Sequence, residues 1–582
     1  MGCEGARLSC VAMSFNEYFR TRRGLPAWDR VFPPFSVQLA VILVIHFAAL
    51  VVMAATEVAV LPKVLFLLSW GVLNFVWLIV SRRPGVSAAL SLAMVVVLIL
   101  VSRLKHAILM LTANFVDVMI IDTDTLSFLL GLYPDLRRNL LIAACIAVPL
   151  MIWCWRMDPY RIRIRMAAAG AGACLACLTL LCFANPIAEH EAFFGDSYVS
   201  KFMRSGVGAV SELLTHDLLD SDPAVTGALG APAAAGCQAP ARRPHIIMVL
   251  DESSFDISTV AGVKVPPDYR DHFKSFDGKR RSFVVEGAGG PTWYTEYNVL
   301  TGLSARSFGH FAYFVTRIAA GRVERGLPRA LQRCGYRTFT LYPADGEFLS
   351  ARSFHKTTGI QHFVDAQDMA ARGAEPDSFY YDKTARLIER ERGTAPLFLF
   401  VYLSANHFPW DFRFEPKLAP DWKDLGNDPA VDEYVRRQTM SARDYADFLA
   451  RLKRDFPGES FLLVRFGDHQ PDFAERMLDP SLDDAAIARR LETYDPRYFT
   501  TYYAIDTVNF TPADLSSALD KLEAPYLPLV IQEAAGLPLD PSFAEQKSIL
   551  QRCGGAFYLC NGGAEARRFN RLLIDAGLIK GL

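Results

Sequence analysis

Five long apolar stretches dominate the N-terminal part of the chain, and none contains a formally charged side chain. They cover residues 36–56, 64–81, 85–102, 139–155 and 166–188. Each is long enough to cross about 30 Å of hydrocarbon as a helix, the fourth only just. Five such runs in series are unusual for buried helices of a soluble protein. The pattern predicts a five-helix membrane domain over residues 36–188, following a cytoplasmic N-terminus of residues 1–35.

Arginine positions predict how these helices are oriented. Three clusters fall on one side of the membrane, namely Arg20, Arg22, Arg23 and Arg30, then Arg82 and Arg83, then Arg156, Arg161, Arg163 and Arg165. The positive-inside rule makes that side the cytoplasm, so everything after residue 188 is predicted to be exported. The loop between the third and fourth helices mixes apolar and acidic residues near 115–132, which favours a segment lying in the membrane interface. If that segment crossed instead, the topology would be inverted.

The pattern changes after residue 188. Residues 189–244 are predicted to be a linker region, rich in Ala, Gly and Pro from 222 onward. Beyond it, short apolar runs at 245–250, 282–285, 336–341, 396–402 and 461–466 alternate with helical candidates such as 377–392 and 432–454. Continuous apolar strands separated by helices predict an α/β domain with a mostly parallel sheet over residues 245–582.

Composition supports this division of the chain. The mean hydropathy of +0.17 is too high for an ordinary soluble enzyme, while 21% charged residues exclude a chain lying wholly in lipid. The 61 Lys and Arg balance 62 Asp and Glu, which gives no electrostatic reason to expect nucleic-acid binding. Four cysteines follow the last apolar stretch, Cys237, Cys334, Cys553 and Cys560. They are compatible with two disulfides, Cys553–Cys560 first, and a zinc site is the alternative.

Chemically active side chains follow four of the predicted strands. Glu252 follows the first, Thr292 comes after the glycine-rich turn that follows the second, His407 follows the fourth, and Asp468 and His469 follow the fifth. Ligands bind at the carboxyl ends of strands in such sheets. Carboxylate and imidazole ligands suit a divalent cation such as Mn²⁺ or Zn²⁺. A cation bound there would ease deprotonation of a threonine hydroxyl, so the set predicts a metal-activated threonine that attacks phosphorus. Each feature alone fits an ordinary turn or cap, and their joint occurrence carries the prediction.

These motifs establish a family resemblance. With Gly-Gly-Pro-Thr-Trp-Tyr-Thr-Glu at 289–296 and Asp468-His469, the chain resembles the alkaline phosphatase and sulfatase superfamily. It is most similar to the membrane-anchored branch of lipoteichoic-acid synthases and periplasmic glucan phosphoglycerol transferases. The resemblance implies that Thr292 is the nucleophile and that Glu252, Thr292, Asp468 and His469 bind the metal. It also implies that His407 and Arg352 bind substrate, although Ser350 stands where the family has an aromatic residue.

The function implied by the resemblance is headgroup transfer. A membrane phospholipid would donate phosphoglycerol through a covalent threonine intermediate to a periplasmic glycan, at the outer face of a bacterial inner membrane. Phosphoethanolamine transfer by the same superfamily is the alternative. A catalytically silent domain that binds an envelope polymer, and a tethered phosphodiesterase with soluble substrates, also remain open. Sulfate ester hydrolysis is disfavoured, because Cys237-Gln-Ala-Pro-Ala-Arg242 has the wrong spacing for the formylglycine motif.

Overall fold

The computed structural model describes residues 35–109, 111–120, 134–187, 191, 194–215, 218–229, 237, 243–393 and 395–582. The chain forms two compact units, and the smaller contains most of the N-terminal helices. The helices before the sheet are α1 Phe35–Thr56, α2 Val60–Ser81, α3 Pro84–Leu109, α4 Phe115–Ile120, α5 Pro134–Met157, α6 Ile164–Ala184 and α7 Tyr198–Thr215.

Five of these helices are long and apolar enough to cross a membrane, namely α1, α2, α3, α5 and α6. The prediction of five membrane helices is therefore confirmed. Small residues let α2 and α6 approach closely, because a Cβ on Gly170 would lie 2.6 Å from the ring of Phe75. Asp158 Oδ2 accepts hydrogen bonds from the Gly85 and Val86 amides at 2.6 and 3.2 Å, which satisfies amides in the first turn of α3.

The predicted interfacial segment is only partly described. Its first residues form α4, where Val116 is 2% exposed and belongs to the main core of the larger unit. The Lys105 ammonium, at the end of α3, pairs with Asp117 at 2.8 Å. This end of the segment therefore packs on protein, and residues 121–132 lie outside the described part.

Helix α7 lies inside the predicted linker region, where no helix is predicted from the sequence. Within the larger unit, Gly206 packs against the ring of Phe115, and Ser205 Oγ accepts a hydrogen bond from the Phe115 amide at 2.9 Å. The Ala-, Gly- and Pro-rich composition begins only after this helix, at residue 222.

The larger unit contains one eight-stranded sheet in the order β4-β3-β5-β1-β6-β7-β2-β8. The strands are β1 His245–Asp251, β2 Arg281–Val284, β3 Arg337–Leu341, β4 His362–Val364, β5 Leu397–Tyr402, β6 Phe461–Gly467, β7 Thr500–Val508 and β8 Lys521–Glu523. Only β7 runs antiparallel to its neighbours, so the sheet is mostly parallel, as predicted. The central strand β1 is entirely buried because its side chains enter the cores on both faces.

Helices cover both faces of this sheet. They are α8 Thr292–Thr301, α9 Val315–Ala319, α10 Leu327–Arg333, α11 Ala351–Thr358, α12 Ala366–Met369, α13 Asp377–Glu391, α14 Pro429–Asp455, α15 Ala474–Leu478, α16 Asp484–Glu492, α17 Pro496–Phe499, α18 Leu527–Ala534, α19 Pro541–Cys553 and α20 Ala564–Asp575. Helix α8 packs in the core on the face of Ile246, Met248 and Leu250, whereas α13 and α14 pack on the face of Ile247 and Val249.

The four cysteines of the larger unit form two disulfides. Cys553 pairs with Cys560, as predicted first, and Cys237 pairs with Cys334 across 97 residues. The zinc alternative for these four residues is wrong, because every thiol is consumed in a disulfide.

Candidate active site

The central strands bring three of the predicted ligands together. Asp251 pairs in register with Gly467, so the residues that follow β1 and β6 emerge side by side. His469 Nε2 lies 3.1 Å from Asp468 Oδ2 and 3.5 Å from Glu252 Oε1. One ligand atom from each residue falls within 4.8 Å of the others, and all three residues are buried. We call these three residues the ligand cluster.

Thr292, the first residue of α8, lies beside the ligand cluster. Its Oγ1 lies 3.2 Å from His469 Nε2, and the residue is 6% exposed. One turn later, Thr295 Oγ1 donates a hydrogen bond of 2.6 Å to the Asp468 carbonyl, which fixes the helix against the end of β6. The hydroxyl therefore sits at the N-terminus of a ten-residue helix, where the helix dipole favours negative charge.

The hydrogen bonds around the ligand cluster fit a bound cation. His469 Nδ1 lies 2.8 Å from the Gln470 carbonyl, which places the proton on Nδ1 and turns the Nε2 lone pair toward the carboxylates. Asp468 Oδ1 accepts from the Ser253 amide at 2.7 Å, whereas the buried Oδ2 has no hydrogen-bond partner among the described residues. Two carboxylate oxygens and an imidazole lone pair at this spacing repel one another unless a positive charge lies between them.

Electrostatics support the same interpretation. Burial, and then the charge of Asp468, raise the pKa of Glu252 well above its usual value. In the described part of the chain, neither carboxylate forms an ion pair with a lysine or arginine. The donor set is oxygen, oxygen and nitrogen, which suits a divalent cation and leaves room for the threonine oxygen.

The glycine-rich turn before Thr292 has a backbone that larger residues would not adopt. Gly289 has φ +68°, and a Cβ on Gly287 would lie 2.9 Å from the Pro291 carbonyl oxygen. Glu286 holds the start of this turn, because its carboxylate accepts hydrogen bonds from Asn298 Nδ2 at 2.8 Å and from the Ala305 amide at 2.7 Å. The turn thereby presents Thr292 in one fixed position.

Comparison with known proteins identifies the domain. Residues 282–502, which contain Thr292, Asp468 and His469, match the family model named Sulfatase. The larger unit contains these residues, and we name it the sulfatase domain after the matching model. This confirms the predicted superfamily.

Two curated relatives from Rhizobium meliloti (strain 1021) are similar to part of this chain. The capsular polysaccharide biosynthesis protein RkpI is 29% identical over 258 residues, covering 41% of this chain and 44% of the relative. A putative cyclic beta-1,2-glucan modification protein is 24% identical over 237 residues, covering 39% and 36%. The chain spans less than half the length of either relative.

Solved structures similar to the chain include two transferases. The Streptococcus pyogenes phosphoglycerol transferase GacH in complex with sn-glycerol-1-phosphate is 16% identical with a TM-score of 0.45, covering 58% of this chain and 87% of that chain. The Neisseria meningitidis lipooligosaccharide phosphoethanolamine transferase EptA is 10% identical with a TM-score of 0.42, covering 83% and 96%.

His407 lies at the same edge of the sulfatase domain's sheet, after β5, and is exposed. Its Nδ1 lies 2.8 Å from the Phe408 carbonyl, and its own carbonyl accepts a hydrogen bond from Arg437 Nη1 at 2.8 Å. The surrounding protein, and then the charge of His469, lower the pKa of His407. The His407 imidazole is accessible to solvent, is otherwise surrounded by protein and lies near His469. This environment is typical of a residue that lines a cleft.

Arg352 is engaged elsewhere in the sulfatase domain. Its Nη2 pairs with Asp365, its Nη1 donates to the Phe363 carbonyl at 3.2 Å, and its side chain is 39% exposed. Among the described residues, its ion-pair partners are Asp365, Glu347 and Asp368. The structure thus brings together Glu252, Thr292, Asp468 and His469, but gives Arg352 no contact with them.

Two features around the site were missed in the sequence. Asp251, next to Glu252, accepts hydrogen bonds from His272 at 2.8 Å and Tyr502 at 2.5 Å. Although burial alone would raise it, these bonds hold the pKa of Asp251 below its usual value. Across the glycine turn, burial and then Asp472 raise the pKa of Glu475 to about 8. No sequence spacing indicates the His272 contact, whereas Glu475 follows Asp468-His469 closely enough to have been considered.

Proposed function

We propose that this protein transfers the phosphoglycerol headgroup of a membrane phospholipid to an envelope glycan through a covalent intermediate on Thr292. The carrying observation is the 3.2 Å separation between the Thr292 hydroxyl and His469 Nε2, beside the buried carboxylates of Glu252 and Asp468. The relatives named for capsular polysaccharide biosynthesis and glucan modification favour a glycan acceptor.

Glu252, Thr292, Asp468 and His469 would together hold one divalent cation, Mn²⁺ or Zn²⁺. Such a cation, when bound, stabilises the alkoxide form of a threonine hydroxyl and so makes it a nucleophile near neutral pH. The Ser253 amide orients Asp468, the Gln470 carbonyl orients His469, and Thr295 anchors α8. These contacts pre-position the four groups before substrate arrives.

The reaction then proceeds in two displacements at phosphorus. In the first, Thr292 Oγ1 forms a bond to phosphorus, the phosphorus–oxygen bond to diacylglycerol breaks, and the threonine proton leaves with the diacylglycerol hydroxyl. In the second, an acceptor hydroxyl forms a bond to phosphorus, the phosphorus–oxygen bond to Thr292 Oγ1 breaks, and the acceptor proton returns to Thr292, so that the glycan carries the phosphodiester. His407, at the edge of the same cleft, would contact the phosphate or headgroup.

We place the sulfatase domain on the periplasmic side of the bacterial inner membrane. Two disulfides in this unit favour an oxidising compartment. The arginine clusters before α1, between α2 and α3, and between α5 and α6 favour the opposite side for those ends. Donor lipid and glycan acceptor meet at this outer face.

Mass spectrometry of the peptide containing Thr292 tests the proposal. After incubation of the full-length protein with phosphatidylglycerol vesicles, we expect the peptide to gain the mass of one phosphoglycerol group, and Thr292→Val to show none. A gain only with phosphatidylethanolamine vesicles would instead establish the phosphoethanolamine transferase. Absence of any adduct, together with absence of diacylglycerol release, would contradict the enzyme and favour a polymer-binding domain.

A pair of variants tests whether Arg352 binds the headgroup. The guanidinium is shared with Asp365, which also caps α12. If Arg352 binds the headgroup, Arg352→Gln should raise the KM for phosphatidylglycerol about tenfold, because a charge-assisted hydrogen bond to phosphate is lost. Asp365→Asn should leave the KM within about twofold, since it keeps the cation. Equal losses of thermal stability in both variants with unchanged KM would make Arg352 structural.

A further inference from the structure

A second cavity, of about 810 Å³, lies in the sulfatase domain. Its walls are the turn around 268–274, the loop segment 418–422 and the middle of α14, with Arg465 and Asp506 from the sheet. None of Glu252, Thr292, Asp468 and His469 lines it. The proposed headgroup chemistry therefore leaves this space without a role, although its volume falls in the range of small-ligand sites.

The cavity is polar but electrically balanced. Its charged lining consists of four acids, Asp268, Asp271, Asp421 and Asp506, and four bases, Lys274, Arg436, Arg443 and Arg465. Two of the bases are already paired within the lining, Lys274 with Asp271 at 2.6 Å and Arg465 with Asp506 at 3.2 Å. A site built for phosphate or another anion would leave positive charge in excess, so this lining favours a neutral ligand.

Aromatic rings and an unused donor complete the cavity. The half-buried Trp422 lines one wall and Tyr445 another. Arg465, 3% exposed, stacks 3.8 Å from the Tyr445 ring, and its Nε has no hydrogen-bond partner among the described residues. The Trp422 ring beside carboxylates and guanidinium groups matches the two surfaces of a sugar, which has C–H faces and a rim of hydroxyls.

One loop connects this cavity to the active site. It begins with His407 at the edge of the catalytic cleft and returns along the cavity as Leu418 to Trp422. Helix α14 holds both ends of this path, since Arg437 donates to the His407 and Pro409 carbonyls at 2.8 and 2.9 Å, and Arg436 lines the cavity. A chain-like ligand bound in the cavity would extend along the loop toward His407.

We propose that this cavity is a holding site for the acceptor, and that it binds a neutral glucan segment while a neighbouring hydroxyl is presented to Thr292. The proposal rests on the proposed function for its acceptor class. The loop 407–422 then has two roles, because it binds the glucan and also positions His407.

Binding of a linear β-linked gluco-oligosaccharide of six glucose units to the full-length protein in detergent tests the proposal by calorimetry. We expect Trp422→Ala to weaken binding at least about tenfold, as loss of a central aromatic anchor does. Phe276→Ala is the matched control, because Phe276 is 46% exposed, lies outside the loop 407–422 and does not line the cavity. Ala446→Trp should also abolish binding, since it fills the cavity from an exposed position on α14 without removing a contact.

Three results would overturn the holding site. The first is that the wild-type protein does not bind the glucan. The second is that Trp422→Ala and Ala446→Trp bind it as tightly as the wild-type protein does. The third is that inorganic phosphate binds at this cavity more tightly than the glucan. The phosphoglycerol adduct on wild-type Thr292 is measured separately without glucan. Loss of the adduct with glucan binding intact contradicts the proposed function alone, and an intact adduct without glucan binding contradicts the holding site alone.

Discussion

Replacement of Thr292 by alanine is expected to lower diacylglycerol release from phosphatidylglycerol by at least about 10³-fold, the scale seen when a catalytic nucleophile is removed. The loss should appear in kcat with little change in KM, because the missing oxygen forms its bond to phosphorus only in the reaction. Thr292→Ser keeps a hydroxyl at the same position and should retain about 1–10% of the rate. Fluorescent phospholipid turnover by the full-length protein in vesicles measures both.

Thr301 offers a matched control for this experiment. It is a second threonine on α8, at the opposite end of the helix, and its hydroxyl bonds to the Tyr297 carbonyl at 2.6 Å. Thr301→Ala should keep the rate within about twofold, although its melting temperature should fall because a buried hydrogen bond is lost. A Thr292→Ala protein that retained more than a tenth of the wild-type rate would show that another group attacks phosphorus.

The membrane helices and central strands could be predicted because burial on all sides leaves a strong sequence signal. In β1, Ile246 to Leu250 enter two cores alternately, so the run is apolar at every position. The polar residues at the ends of such runs stand out, and Glu252, Asp468 and His469 were found in this way. Parallel pairing of β1 with β6 then determines that they meet.

Other features depend on contacts that no local pattern encodes. Strands β4 and β8 have three residues each, too short for a periodicity, and become strands by pairing with β3 and β2. The antiparallel direction of β7 likewise follows from its partners. His272 reaches Asp251 because the short 3-10 helix Tyr269–Phe273 packs against Tyr502 of β7. Asp365 lies thirteen residues after Arg352, and only the fold shows that it occupies the guanidinium.

The two carboxylates of the ligand cluster lower the stability of the folded protein. Asp468 and Glu252 are buried together, and the charge of Asp468 disfavours the ionised form of Glu252 by raising its pKa. A hydrophobic pair at these positions would be cheaper for folding, so the two carboxylates are best explained by a ligand that needs both. Metal binding and the stability of the metal-free protein should therefore respond in opposite directions when Asp468 is neutralised.

Asp468→Asn is therefore expected to change two measurements in opposite directions. The amide keeps the hydrogen bond from Ser253 but loses the charge at the position of Oδ2, so bound divalent metal should fall below about a tenth of the wild-type content and turnover at least about 100-fold. In the presence of a chelator, the same variant should melt about 2–4 °C above the wild-type protein, because repulsion with Glu252 is removed. Elemental analysis and thermal unfolding of the full-length protein measure the two effects. Asp484→Asn is the control that should change neither, because the Asp484 side chain is 71% exposed.

Two results would contradict this prediction. Unchanged metal content in Asp468→Asn would show that the cation is held elsewhere. A lower melting temperature of Asp468→Asn in chelator would show that the two carboxylates do not repel each other in the folded protein.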